Sequence, residues 1–133
     1  MAETFPVMST GTGRPDYSGN LWVSLPPEEI MNQAILAPGV FNTDSMVDFR
    51  NAKRVVFKVD NTLDQPLIMQ IIGNQVESFV QTVNIGPPVP CLANGQTSIG
   101  LAWDDCLPWV GATITVAVAP TVGLVKVWDV VQE

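Results

Sequence analysis

"RVVFKVDNTLDQPLIMQIIG", residues 54–73, decides the fold. Val55, Phe57 and Val59 alternate with Arg54, Lys58 and Asp60, with Val56 the one exception. Strict alternation gives a strand with one apolar and one polar face. "NTLDQP" (61–66) then supplies Asn, Asp and Pro, which favour turns. "LIMQIIG" (67–73) is apolar on both faces apart from Gln70. A strand of that kind is either covered on both sides or has one side serving as an interface.

Working outward, the pattern repeats. "VESFVQTV" (76–83) and "QTSIGLAW" (96–103) read as strands, and "DDCLPWVG" (104–111) as a loop. "NIGPPVPCLANG" (84–95) has three prolines and cannot be a central strand, because proline donates nothing to a ladder. "ATITVAVA" (112–119) sets Ile114, Val116 and Val118 against Thr113, Thr115 and Ala117. After the turn "PTVG", "LVKVWDVV" (124–131) sets Leu124, Lys126, Trp128 and Val130 opposite Val125, Val127, Asp129 and Val131. About six strands punctuated by turns predict an all-β protein, an antiparallel β-sandwich of immunoglobulin-like or small jelly-roll type.

Residues 1–53 read differently. They are rich in Pro and Gly and lack sustained alternation, which predicts an extended N-terminal arm ahead of a β-sandwich domain at 54–133. Within the arm, "PPEEIMNQAILAPG" (26–39) reads as one short helix. Pro at the first turn forfeits no hydrogen bond, Glu28 and Glu29 suit the positive helix end, and Pro38-Gly39 stops it. A helix of roughly nine residues is marginal alone in water, so it needs a surface to pack on. "RPDYSGNLWVSLPPEE" (14–29) carries Tyr17, Leu21, Trp22, Val23 and Leu25, more apolar groups than a plain linker needs. The expected contacts of the arm with a neighbour are Phe5, Tyr17, Trp22, Leu25, Ile30, Ile35 and Phe41, since large apolar groups dominate interfaces.

The composition narrows the function. The chain has 133 residues, 47% hydrophobic and 14% charged, which is little charge for a free surface and points to apolar area covered by a partner. Net charge is −7, which argues against nucleic acid as a partner. The basic cluster Arg50, Lys53 and Arg54 reads either as a solvated strand entry or as a contact with an acidic neighbour. Residues 1–20 lack the basic start and apolar core of a signal peptide, and no run reaches the ~20 apolar residues of a membrane span. Cytoplasmic assembly, reduced Cys91 and Cys106, and no membrane partner are the expectations, although a disulfide would form if the two strand ends met.

The chain contains no histidine, which removes Ser-His and Cys-His nucleophile pairs. "GTG" (11–13) has no preceding strand, so it does not read as a phosphate loop. Asp104 and Asp105 beside Asn94 could attract calcium, but adjacent acids in a turn read first as solvated carboxylates. Nothing in the spacing of the acids selects the facing pair that a glycosidase needs. No enzymatic activity, cofactor or metal is expected. Trp103 and Trp109 bracket a loop, where they would plug one end of the sandwich or stack on a sugar, and Trp128 reads as core or inter-sheet packing.

"VFKVDNTLDQPLIMQIIGN" (56–74), "LPWV" (107–110) and "ITVAVAPTVGLVKVWDV" (114–130) together resemble a group of small β-sandwich proteins found in tailed-phage genomes. The shared features are Asn-Thr-Leu-x-Gln-Pro in the first hairpin, Gly-Asn closing the second strand, Ala-Pro-Thr in the last hairpin, and Val-x-Val-Trp near the end. An arm ahead of such a sandwich is similar to the plan of capsid decoration, or cement, proteins. The resemblance implies a virion structural protein on the capsid exterior, a trimer or dimer that also contacts the major capsid protein. Arg50 and Arg54 join the arm residues as expected interface contacts. The alternative is a carbohydrate- or receptor-binding module of a head or tail fibre.

Overall fold

The computed structural model describes residues 23–133, apart from the side chain of Trp103. Phe5, Tyr17 and Trp22, three of the expected anchors, lie outside the described residues. Nine strands follow one another: β1 (Glu28–Ala34), β2 (Gly39–Asn42), β3 (Val47–Asp48), β4 (Arg54–Asn61), β5 (Leu67–Asn74), β6 (Val83–Cys91), β7 (Gly95–Ala102), β8 (Trp109–Val116) and β9 (Leu124–Gln132). They form two sheets, ordered β1-β9-β4-β7 and β2-β8-β5-β6, with β3 also paired to β8. All pairings are antiparallel. The sheets pack face to face around one apolar core, an antiparallel β-sandwich.

The deciding stretch folds as its alternation predicts. Val55, Phe57 and Val59 are fully buried, and so are Val125 and Val127 beside them on β9. Leu67, Met69 and Ile71 fill the core from β5, and Ile114 and Val116 from β8. Burying a side chain of this size stabilises by about 1.5–3 kcal/mol relative to exposure.

The expected helix at 26–39 is a correction. Residues 28–34 form β1, paired along the edge of β9. A bulge between Glu29 and Met31 sends two consecutive residues, Ile30 and Met31, into the core. That bulge, with Ile35 also buried, imitates the three-to-four spacing of a helix. Pairing with β9 satisfies backbone groups that a marginal helix would leave weakly held.

The boundary near residue 53 moves as well. β1, β2 and β3 belong to the sandwich, and Ile35, Val47, Phe49 and Ala52 are part of its core. The link to the sheet begins at the first described residues: the Val23 amide donates to the Glu133 carbonyl and the Leu25 amide to the Val131 carbonyl, each at 2.8 Å. An extended-arm reading is left only for residues 1–22.

Two other segments depart from expectation. Residues 75–82 form turns rather than a strand, because Asn74 organises them. Its Nδ2 donates to the carbonyls of Ser78 and Val80, both at 2.9 Å. β6 is a strand despite its prolines, but it is an edge strand, where a missing donor costs no ladder bond.

The turn motifs of the first and last hairpins meet in space and hold one another. Asn61, buried, donates to the carbonyls of Gln65 and Leu92 and accepts from the Leu63 amide. Asp64 accepts from the amide and the hydroxyl of Thr121. Gly123 has φ +109°, and a Cβ there would lie 2.1 Å from the Thr62 carbonyl oxygen. Only glycine allows this approach of the last hairpin to the first.

Candidate interaction surface

The two outer faces of the sandwich differ in chemistry. On the first sheet, outward positions carry Glu29, Arg54, Lys58, Asp60, Lys126 and Trp128. Lys58 Nζ lies 3.3 Å from Asp60 Oδ1, and Glu29, Trp128 and Lys58 form one row across three strands. The Arg54 guanidinium lies over Gly100, where a Cβ would come within 2.0 Å of Nη2. Water and ion pairs complete this face. Trp128 is half-buried here, which corrects its reading as inter-sheet packing: Asp129, not Trp128, takes the inward position.

On the second sheet, β2, β5, β6 and β8 contain no Asp, Glu, Lys or Arg. Val40 pairs with Thr115, Thr115 with Ile68, and Ile68 with Pro90, so one row crosses all four strands. Val40 is 66% exposed and Ile68 45%. Val118, just past the end of β8, is exposed as well. The next row, Asn42, Thr113 and Gln70, is polar but uncharged. Gln70 Nε2 is occupied by the carbonyls of Ile71, Ile85 and Gly86. Toward the Trp109 end, the 75–82 turn covers the sheet. Phe79 sits over Gly111, where a Cβ would be 3.1 Å from its ring, and Ile72 is buried. The row from Val40 to Pro90 has no such cover among the described residues.

A cleft of about 360 Å³ opens between the sheets at the Trp109 end. Leu25, Glu28, Val131 and Glu133 line it from the first sheet, and Val47, Asp48 and Trp109 from the second. Asp48 receives a two-point ion pair from Arg50, 2.8 Å from Nε and 2.6 Å from Nη2. These bonds hold the Asp48 carboxyl down at about 2 and raise the Arg50 guanidinium further. Arg50 also stacks 5.1 Å from the centre of the Trp109 ring, a cation–π contact.

The expected interface residues therefore divide. Ile30 and Ile35 are each 2% exposed and sit in the chain's own core, and Phe41 packs against that core from its rim. Leu25 borders the cleft, Arg50 is engaged by Asp48 and Trp109, and Arg54 lies on the charged face. None of these lies in the row from Val40 to Pro90. That row went unpredicted because β2 was read as arm, although the two apolar faces of "LIMQIIG" already signalled Ile68.

Cys91 and Cys106 are free thiols. Burial raises both, that of Cys106 to about 11 with help from Asp105 and Asp104. Neither is primed as a nucleophile, since the thiolate is the reactive form. Among the described residues no three Asp, Glu or Cys groups come together as metal ligands. No family model matches the chain, and no curated protein matches it.

Proposed function

We propose that this chain is a structural protein that joins copies of itself within a larger assembly. The setting implied by the resemblance is the outside of a phage shell, with the oligomer decorating and stabilising the capsid. The observation that carries this reading is the uncharged row across β2, β8, β5 and β6 on the outer side of the second sheet, with Val40 and Ile68 exposed in it. A chain of net charge −7 repels its own copies over most of its surface. This face lets two copies approach without setting like charges against each other, and a two-fold contact uses the same patch on both sides. On this reading Phe5, Tyr17 and Trp22 anchor the first 22 residues to neighbouring subunits, and many such weak contacts over a shell add up through avidity.

The test compares capsids assembled with and without the protein under heat and osmotic shock. Decorated capsids should withstand higher temperature; equal resistance of the two would defeat the capsid reading. The alternative, a sugar- or receptor-binding module, draws on Trp109 at the cleft. One face of that ring is already taken by Arg50, which leaves less of it for stacking on a sugar.

A further inference from the structure

The inner face of the first sheet holds one charged residue type where apolar ones are the rule. Asp129 is 2% exposed, on the core side of β9 between Val127 and Val131. Its Oδ2 has no hydrogen-bond partner. Its cross-strand partner on β1 is Glu28, a second carboxylate. An isolated buried carboxylate is costly, and two facing one another are costlier unless they hold a proton between them.

The location gives the pair something to control. Glu28 begins β1, the edge strand of the first sheet. Immediately before it, Leu25 and Val23 bind β9 through the Val131 and Glu133 carbonyls. Glu28 and Val131 also line the cleft. We propose that Glu28 and Asp129 are a proton-dependent latch that holds residues 23–28 against β9. With one proton in the pair, a carboxylic acid faces a carboxylate and the seam is closed. When that proton leaves to solvent, two negative charges face each other across the seam, and the edge is driven outward, opening the cleft.

Among the described residues the surroundings offer no countercharge. β4 places Phe57 opposite Asp129, and β7 places Ile99 beyond it. The other charged groups of the cleft are Asp48, neutralised by Arg50, and Glu133. Burial, then the charge of Glu28 and a hydrogen bond with it, push the Asp129 carboxyl up to about 7 from 3.8. The folded state therefore binds the proton more tightly than the unfolded chain. The contribution of this pair to stability is therefore full below about pH 4, falls as pH rises, and is lost above about pH 7.

The experiment uses the full chain, comparing wild type with Asp129→Asn between pH 5 and pH 8. Two readouts are needed: the Tm, and amide exchange at Val23 and Leu25 corrected for intrinsic rates. Wild type should lose about 5–10 °C of Tm over this range. Its protection at Val23 and Leu25 should fall by about tenfold or more, whereas Asp129→Asn should show neither change. Parallel pH profiles for the two proteins would overturn the latch. So would a loss of protection spread evenly over β4 and β9. If Asp129→Asn does not fold, Glu28→Gln decides: its decline should be smaller and level off at lower pH, and a profile identical to wild type would overturn the proposal.

Discussion

The two sheets make similar inner faces and opposite outer ones. Both turn Val, Ile, Leu, Met and Phe inward. Outward, the first sheet carries Glu29, Arg54, Lys58, Asp60 and Lys126 among Val56, Leu124, Trp128 and Val130, while the second carries the uncharged row of Val40, Thr115, Ile68 and Pro90. An outer face facing only water gains nothing from lacking charge, and it adds to the risk of non-specific association. Under the proposed function, the contrast separates what the chain needs in order to fold from what it offers to another copy.

The largest effects should come from the faces the sheets share. Phe57→Ala on the first sheet should cost about 3–5 kcal/mol and Ile114→Ala on the second about 2–5 kcal/mol, measured by denaturant unfolding. Comparable losses mean that one core serves both sheets. A loss below about 1 kcal/mol at Ile114 would mean that the second sheet is loosely attached.

Asp129→Asn replaces the buried carboxyl on the inner face of the first sheet with a neutral amide. The wild-type penalty applies where Asp129 is ionised, so the variant should be the more stable at pH 8, by on the order of 2–4 kcal/mol. At pH 4 the two should be equal. A gain that persists undiminished at pH 4 would mean that packing, rather than charge, is responsible.

Smaller effects on folding should accompany the outer-face changes. Ile68→Lys and Lys58→Gln should each shift the stability of the free protein by about 0.5 kcal/mol or less, as surface changes usually do. They should differ in association: Ile68→Lys should weaken it by about tenfold or more, and Lys58→Gln should leave it unchanged. The smallest effect is that of salt. Raising ionic strength should strengthen self-association a few-fold by screening the net negative charge. Weakening by salt would place charged contacts in the interface.

How much of this was legible in the sequence follows from how local each cause is. β4, β5, β7, β8 and β9 alternate or lie between turn residues, so the sandwich could be read directly, whereas the prolines of β6 hide an edge strand. β1 could not, because its bulge at Ile30 breaks the alternation, and its partner β9 lies about a hundred residues away. Residues 76–83 have strand composition, but the side chain of Asn74 captures their carbonyls. The proposed contact face was half legible: "LIMQIIG" reads as apolar on both faces, which leaves one face covered or an interface, while Val40 becomes meaningful only when β2 is seen beside β8. Alternation groups Asp129 with Val125, Val127 and Val131, but reading Trp128 as core hides that this is the inward face, and its partner Glu28 lies in the segment read as a helix.

The central claim is that the uncharged outer face is where copies of this chain meet. The most direct test is light scattering on the full chain over a range of concentrations, comparing wild type with the double variant V40K/I68K. Wild type should be a dimer or trimer and the variant a folded monomer. A folded variant with the same mass as wild type, or a wild type that stays monomeric throughout, would contradict it.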